Sequence, residues 1–437
     1  MNPDDLKISF SELVSALSDA VDLISPVLNN HHKQVTYISY RIAEALNYPR
    51  ERLADLITAG LMHDVGALDL SERIELLDFE EEEPYIHTIG GYVLLRDLNI
   101  FEKVGEIIKH HHRPWEYGEG SACRDEPVHP ESHILYLADR VAVSIDKSAG
   151  ALNQVEDIYK KIKGQANSRF NPRFVEAFES ISKTEAFWMD LVSPDLDSRL
   201  KTIWSKFDRR LGLKELFEVT RVFAKVIDFR SRFTAVHSSG VGAVAETIAR
   251  KMSWPEMDCQ KMAIAGNLHD LGKLAIRNHI LEKPGKLTRA EYNIMKAHAY
   301  HGYYLLDKVS GLEKINEYGS LHHERLDGSG YPFRVKGKAL KEGSRIMAIA
   351  DVFTAITEDR PYRRGMEDDR AIRVVERMGL DHKLDAAIIA LVKDNFEEMN
   401  HYRRKAQQQA AREYRNFEKE IHFTRNLYCR EEGSAFS

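Results

Sequence analysis

The stretch Leu268-His269-Asp270-Leu271-Gly272-Lys273 places a histidine, an aspartate and a lysine within five residues. Histidine and aspartate are metal-ligand types, and lysine adds a fixed positive charge, so the combination suggests phosphate chemistry. A single His-Asp pair is weak evidence, because most such pairs are solvated or only hydrogen-bonded. The interpretation therefore depends on partners elsewhere in the chain.

The two halves of the chain share an internal repeat of ligand-type residues. Seven of these residues recur in the same order under offsets of 206 to 212 residues. They are His31, His63, Asp64, His87, His111, His112 and Asp139 in the first half, and His237, His269, Asp270, His298, His322, His323 and Asp351 in the second. Five histidine matches in one order, among only 19 histidines in 437 residues, indicate a tandem duplication.

Apolar residues recur at helical spacing in both halves, for example from Phe10 to Leu28, and alternating β-type stretches are few. The sequence therefore predicts an all-α fold of two tandem helical bundle domains joined by a helical linker. A turn-like Ser193-Pro194-Asp195 precedes the linker and puts the boundary near residue 205, which gives domains 1–205 and 206–437. The charge-rich segment from Asn400 to Glu420 predicts a long C-terminal helical tail that could contact a second copy.

Composition excludes several classes of protein. No apolar run approaches the ~18–20 residues that cross a bilayer, and the N-terminus has no secretory pattern, so we expect no membrane association and a cytoplasmic location. The three cysteines are far apart, which argues against a disulfide framework or a thiolate zinc site. A net charge of −6 argues against a DNA or RNA polymer as partner.

The second half follows its histidine pair with a tight glycine-rich loop, His322-His323-Glu324-Arg325-Leu326-Asp327-Gly328-Ser329-Gly330-Tyr331-Pro332. Gly328 and Gly330 allow the backbone to approach a ligand closely, while Tyr331 offers a flat ring and Pro332 fixes the exit of the loop.

Together these motifs resemble the HD-GYP family, bacterial members of the HD superfamily of metal-dependent phosphohydrolases. The resemblance rests on five motifs in order, at residues 268–273, 283–288, 322–332, 345–351 and 360–363. It implies two HD-type helical domains and a phosphodiesterase that opens cyclic di-GMP or 3′,3′-cyclic GMP-AMP to a linear dinucleotide, by attack of a metal-bridging hydroxide.

The resemblance also implies two divalent transition-metal ions in the second half, bridged by Asp270. One ion would be held by His237, His269, Asp270 and Asp351, and the other by Asp270, His298, His322 and His323. Iron or manganese is favoured, with nickel, cobalt and zinc as alternatives, because every ligand is nitrogen or oxygen. Family members with three ions carry a carboxylate four residues before the first histidine. Phe233 stands at that position here, which favours two ions. The predicted catalytic residues are Asp270 and Lys273, and the predicted substrate contacts are Lys286, Arg325, Asp327, Gly328, Gly330, Tyr331 and Pro332.

The first half keeps all seven ligand positions but departs from the motifs. Ala67 replaces the lysine, no Gly-Tyr-Pro turn follows His112, and the acidic run 78–83 would repel an anionic dinucleotide. We therefore predict a degenerate, regulatory HD domain over residues 1–205, able to form a second metal site, and a catalytic domain over 206–437. The alternative function is a non-catalytic cyclic-nucleotide or metal-binding module that acts on a signalling partner or as a homodimer.

Overall fold

The computed structural model describes residues 7–23, 30–68, 85–123, 126–146, 149–231, 234–283, 285–359 and 364–434, the last helix by its backbone alone beyond residue 423. The acidic run 78–83, Phe233 and the motif 360–363 lie outside the described residues. The described chain is predominantly helical, which confirms the all-α fold. None of its described helices is both long and apolar enough to cross a membrane.

The described α-helices, in chain order, are α1 (Phe10–Asp22), α2 (His31–Ala45), α3 (Arg50–Met62), α4 (Tyr85–Leu95), α5 (Glu102–Lys109), α6 (Pro130–Val143), α7 (Val155–Gly164), α8 (Pro172–Ser182), α9 (Glu185–Val192), α10 (Leu196–Trp204), α11 (Leu213–Asp228), α12 (His237–Lys251), α13 (Glu256–Leu268), α14 (Asn278–Leu281), α15 (Arg289–Leu306), α16 (Glu313–Ser320), α17 (Glu342–Thr357), α18 (Asp368–Leu380), α19 (Ala386–Asp394) and α20 (Phe396–Ser434). Two-residue strands are β1 (Ile8–Ser9), β2 (Ala122–Cys123), β3 (Glu126–Pro127) and β4 (Arg210–Leu211), in the antiparallel pairs β1 with β4 and β2 with β3.

The chain divides into two compact units, and each unit includes the terminal segment from the opposite end of the chain. The C-terminal unit comprises residues 1–24 and 210–416, and the N-terminal unit comprises residues 25–209 and 417–437. This division differs from the predicted one, 1–205 and 206–437, at both termini. Periodicity in the sequence identifies an apolar helix face but does not say which bundle covers it, so the exchange has no local signal.

The first described residues are fixed to the C-terminal unit by strand pairing, burial and polar contacts. Ile8 pairs with Leu211 in the β1–β4 ladder and is fully buried. Helix α1 buries its apolar face, and Glu12 and Asp19 on its other side accept hydrogen bonds from Ser310 N at 2.8 Å and Lys308 Nζ at 2.6 Å.

The two units build their centres from corresponding helices. In the C-terminal unit α12 packs on α13 and α17, α13 packs on α16, and α15 packs on the 3₁₀ turn Leu271–Ala275. In the N-terminal unit α2 packs on α3 and α6, α3 packs on α5, and α4 packs on α5. The internal repeat seen in the sequence is therefore a structural repeat as well.

Candidate metal centre

Five helices of the C-terminal unit deliver its ligand-type side chains to one buried point. His237 begins α12, His269 and Asp270 follow the end of α13, His298 lies inside α15, His322 and His323 follow α16, and Asp351 lies inside α17. Six of the seven are at least nine-tenths buried, and His323 is partly exposed.

Asp270 stands between two groups of histidines. Its Oδ2 lies 3.0 Å from His269 Nε2, and its Oδ1 lies 3.5 Å from His298 Nε2 and 3.9 Å from His322 Nε2. One carboxylate oxygen therefore faces each group, which is the geometry of a bridging ligand. Ligand atoms within 4.8 Å of one another form the sets His237, His269, Asp270 and His298, His322, His323.

Asp351 completes the first group from the opposite side. Its Oδ1 lies 3.3 Å from His237 Nε2, and its Oδ2 lies 3.9 Å from His323 Nδ1. All seven predicted ligand residues of the second half therefore lie together.

Backbone carbonyls orient three of these histidines. Nδ1 of His269, His298 and His322 donates to the carbonyl three residues earlier, at 2.7, 2.6 and 2.7 Å respectively. This bond fixes the tautomer and leaves the Nε2 lone pair facing the centre, as in ligated metal sites. His269 Nε2 is buried without a hydrogen-bond partner in the described structure. Nitrogen lone pairs that converge on carboxylates fit a pair of divalent cations.

A glycine lets the His-Asp turn approach the helix that carries the next histidine. A Cβ on Gly272 would stand 1.9 Å from the carbonyl oxygen of His298, and a Cβ on Gly66 would stand 2.1 Å from that of His87. The glycine of the His-Asp-x-Gly motif is therefore required in both units by backbone contact.

His237 is held by a carboxylate that sequence reasoning missed. Glu358, fully buried just beyond α17, accepts from His237 Nδ1 at 3.1 and 3.2 Å, and Gln407 Nε2 of α20 donates to Glu358 at 3.1 Å. Arg403 in turn donates to Gln407. Glu358 lies seven residues after Asp351 but is the extended residue that follows α17, so helical spacing did not identify it.

Lys273 reaches the same centre from the 3₁₀ turn. Its Nζ lies 2.5 Å from Asp270 Oδ2. Burial alone would raise the pKa of Asp270, but the neighbouring His269 ring and the ammonium of Lys273 hold it well below its usual range. Burial would lower the pKa of Lys273, but Asp270 raises it, so both groups are charged. Arg230, also missed from sequence, fixes this turn by donating to the carbonyls of Lys273 and Leu274 at 2.9 Å.

The glycine-rich loop covers one side of the centre. The ring of Tyr331 lies 4.7 Å from that of His323, and burial raises the pKa of the phenol. Gly330 admits no side chain, because a Cβ there would stand 2.5 Å from the backbone of Glu324 and Arg325. The loop backbone is therefore held against the histidine pair.

The other predicted substrate contacts differ in position. Arg325 donates to the carbonyls of His322 and Glu324, and Asp327 accepts from Ser329 N and Oγ, so both side chains stabilise the loop itself. Gly328 takes a positive φ of 80°, and Pro332 follows Tyr331 at the loop exit. Lys286 is exposed before α15, and no described contact joins it to the centre.

The N-terminal unit assembles a similar cluster around Asp64. Asp64 Oδ2 lies 3.3 Å from His63 Nε2, its Oδ1 lies 3.6 Å from His87 Nε2 and 3.9 Å from His111 Nε2, and His31 Nε2 lies 3.1 Å from Asp139 Oδ1. Potential ligand atoms group as His31, His63, Asp64 and as Asp64, His87, His111, His112. This cluster also fits metal ions.

Three features separate this cluster from the one in the C-terminal unit. Ala67 occupies the position of Lys273, and fully buried Arg140 binds Asp139 Oδ2 at 2.6 Å. Burial would raise the pKa of Asp139, but Arg140 and His31 hold it well below its usual range. After His112 the chain has no Gly-Tyr-Pro loop, and the backbone N–H groups of Trp115, Glu116 and Tyr117 donate to carbonyls of residues 167–169.

Two protein-family models, each described as HD domain, match residues 29–144 and residues 221–388. The chain carries two HD domains in tandem. Each HD domain contains one of the two histidine-aspartate clusters.

Known phosphodiesterases are similar to all or part of this chain. It is 27% identical to the 3′3′-cGAMP-specific phosphodiesterase 1 of Vibrio cholerae serotype O1, over 90% of this chain and 93% of that protein. It is 39% identical to the cyclic di-GMP phosphodiesterase response regulator RpfG of Xanthomonas campestris pv. campestris, over 34% of this chain and 40% of that protein. The crystal structure of a cyclic GMP-AMP specific phosphodiesterase of V. cholerae, V-cGAP3, matches 90% of this chain and 98% of its own with a TM-score of 0.62 at 24% identity, which supports the fold.

Proposed function

We propose that the chain is a metal-dependent phosphodiesterase that hydrolyses a cyclic dinucleotide to a linear dinucleotide at the centre of the second HD domain. The observation that carries the proposal is Asp270, whose two oxygens face separate histidine groups while Lys273 holds a positive charge beside it. Of the two substrates expected, 3′,3′-cyclic GMP-AMP is the first to test, because the relative that bears its name aligns over nine-tenths of the chain.

The residues of the centre fit two divalent ions. His237, His269, Asp270 and Asp351 would hold one ion, and Asp270, His298, His322 and His323 the other. Iron or manganese is the favoured metal, with nickel, cobalt and zinc as alternatives for this set of nitrogen and oxygen donors. When bound, such ions lower the pKa of water and neutralise charge on the phosphoryl oxygens.

Protein groups position the substrate and balance its charge. Lys273 stays protonated beside Asp270 and can donate to a phosphoryl oxygen as negative charge develops there. Tyr331 presents its ring next to His323, where a nucleobase can stack, and Gly330 keeps the loop close enough to form that wall. Arg325 and Asp327 act by holding the loop in shape.

The first HD domain is proposed to be regulatory. Arg140 binds Asp139 Oδ2, whereas Oδ2 of the corresponding Asp351 lies 3.9 Å from His323 Nδ1, and Ala67 offers no positive charge for a phosphoryl group. A non-catalytic signalling role is thus the proposal for this domain alone. Cytoplasmic location, a signalling-protein partner and a homodimer stay predictions from the sequence.

The experiment is product chromatography after incubation of metal-loaded protein with 3′,3′-cyclic GMP-AMP, cyclic di-GMP and cyclic di-AMP. Asp270→Ala should abolish formation of linear product, while the matched change Asp64→Ala in the first domain should leave it within a fewfold of wild type. If no linear product forms from any substrate, with Mn²⁺ or anaerobic Fe²⁺ supplied, the proposed activity is wrong. Turnover that survives Asp270→Ala and disappears with Asp64→Ala would reverse the assignment of the two domains.

A further inference from the structure

Arg230 is a buried arginine whose side chain binds the turn that carries Lys273. It lies two residues past the end of α11. Its Nη1 donates to the carbonyls of Lys273 and Leu274 at 2.9 Å, and its Nη2 donates to the Ile276 carbonyl at 3.0 Å and to Asn278 Oδ1 at 2.7 Å. A guanidinium presents its donors in a rigid planar fork, so these four bonds fix both the position and the orientation of the turn.

Lys273 is thereby held at its backbone as well as at its ammonium. Its carbonyl belongs to the last residues of the 3₁₀ turn Leu271–Ala275, where carbonyl groups have no partner within the helix. Arg230 supplies a partner there and adds a positive charge where a helix end favours one. The Nζ of the same lysine lies 2.5 Å from Asp270 Oδ2.

The stretch that carries Arg230 is also joined to the start of α12, the helix that begins with the ligand-type His237. This helix has no side-chain cap from the residue that precedes it. Asp228, buried at the end of α11, instead accepts from Ser238 N at 3.0 Å and from Ser238 Oγ at 2.9 Å. Because Ser238 directly follows His237, Asp228 fixes the first turn of α12 at this histidine. A corresponding aspartate, Asp22, occurs in the first half.

The arginine and the lysine, in contrast, are missing together from the first half. The offset of 206 residues that pairs the two His-Asp motifs also pairs Lys273 with Ala67 and Arg230 with Ile24. An arginine needed only to join two helices would be expected in both halves. Its occurrence in the half that has the lysine links Arg230 to Lys273 rather than to the metal ligands.

We propose that Arg230 is a positioning residue that holds Lys273 in a fixed place relative to His237. Asp228 joins the stretch 228–230 to α12, and Arg230 joins the turn of Lys273 to the same stretch. The ammonium is therefore in place before the substrate binds, and it meets the phosphoryl oxygen without rearrangement of the turn. The part of this role that concerns turnover rests on the proposed function, whereas the placement of Lys273 does not.

The first measurement needs no enzyme activity. The full chain is treated with the N-hydroxysuccinimide ester of acetic acid, and the acetylation rates of Lys273 and Lys261 are followed by peptide mass spectrometry. Lys261 is the internal reference, because its side chain is 11% exposed against 19% for Lys273 and it also pairs with an aspartate, Asp258. We expect Arg230→Met to speed acetylation of Lys273 about fivefold or more, and that of Lys261 less than about twofold, because only the turn opens locally.

The second measurement is turnover of the cyclic dinucleotide, with bound metal determined alongside. Arg230→Met should lower kcat by about 10–100-fold with KM and bound metal nearly unchanged, since a misplacement of about 1 Å can cost this much. In a Lys273→Met background the same change should cost less than about threefold, because the effects of residues that act as a unit are not additive. Arg250→Met removes an exposed arginine of α12 and should leave kcat and both acetylation rates unchanged.

Three outcomes would overturn the proposal. They are a Lys273 acetylation rate in Arg230→Met within twofold of wild type, an equal rise at Lys261, and equal losses of kcat with and without Lys273. If the wild-type chain forms no linear product, the proposed function fails, and the acetylation rates still decide whether Arg230 holds Lys273. Arg230→Lys keeps the charge and one donor group, so it should give smaller changes in the same direction and carries both tests if a melting curve shows Arg230→Met to be unfolded.

Discussion

Glu358 provides the sharpest test of how the centre is built. Replacing it by alanine removes both oxygens that accept from His237 Nδ1 and leaves that N–H buried without its carboxylate. Metal-ligating histidines depend on such partners for orientation and basicity. We therefore expect the metal affinity of the second HD domain to fall.

The size of the effect follows from the contact. A hydrogen bond to a charged group contributes about 1.5–3 kcal/mol, and Glu358 is only 2% exposed, so solvent screening is small. This corresponds to a loss of about 10–100-fold in metal affinity. Glu358→Gln keeps an acceptor but removes the charge and should cost roughly half as much free energy, because neutral hydrogen bonds are about half as strong.

The assay is titration of metal-free protein with Mn²⁺, with bound metal measured by mass spectrometry after desalting. Both variants are made in an Asp64→Asn background, so that the cluster of the first domain does not contribute. Glu397→Gln makes the same change at an exposed position in the first turn of α20 and serves as the control. If Glu358→Ala binds metal within twofold of its background while circular dichroism shows it folded, the positioning role is refuted.

Three further predictions test the lysine, the glycine contact and the pH dependence. Lys273→Met should lower kcat by about 10²–10³-fold without loss of bound metal, since it removes one charged donor to the reacting phosphate; near-normal turnover would contradict this role. Gly272→Ala should lower the free energy of unfolding by about 1–3 kcal/mol or more, because its Cβ would overlap the His298 carbonyl; a thermal melt measures the shift, and an unchanged melting temperature counts against the contact. Burial lowers the pKa of His298 to about 4 and of His322 to about 3, so unfolded chains bind protons below pH 6.5 that the folded chain excludes. The denaturation midpoint of chelator-treated protein should therefore fall as the pH drops from about 6.5 toward 4, and a flat or rising midpoint would argue against this burial.

The sequence was sufficient to find the ligand-type residues of both clusters. Their order and spacing repeat because the same helices recur, so Asp64 and Asp270 could be paired without coordinates. The residues that surround and orient these ligands could not be predicted from order and spacing. Glu358 lies one residue past the end of α17, where the direction of a side chain depends on how the helix ends, and Gln407 comes from a helix 49 residues further along. Arg140 follows Asp139 directly, and the sequence does not reveal that its guanidinium folds back onto that carboxylate.

The prediction that only the second half is catalytic depended on residues other than the seven ligand positions. The seven positions are equally complete in both halves, so ligand type alone would have suggested two equivalent enzymes. The two halves differ at two places. The second half has Lys273 where the first has Ala67. The second half also has the Gly-Tyr-Pro loop, where the first has a segment whose backbone is hydrogen-bonded to residues 167–169. These differences lie at positions proposed to contact substrate, whereas the residues that recur are the ones that fit metal.

The exchange of chain ends limits how this protein can be divided. A cut near residue 205 would leave a second-domain fragment without α1, exposing the surface that Leu13 and Leu17 now cover, and a first-domain fragment without residues 417–437. Fragments made at that position should be poorly expressed and prone to aggregation. A fragment that keeps the C-terminal unit intact would instead have to join residues 1–24 to residues 210–416.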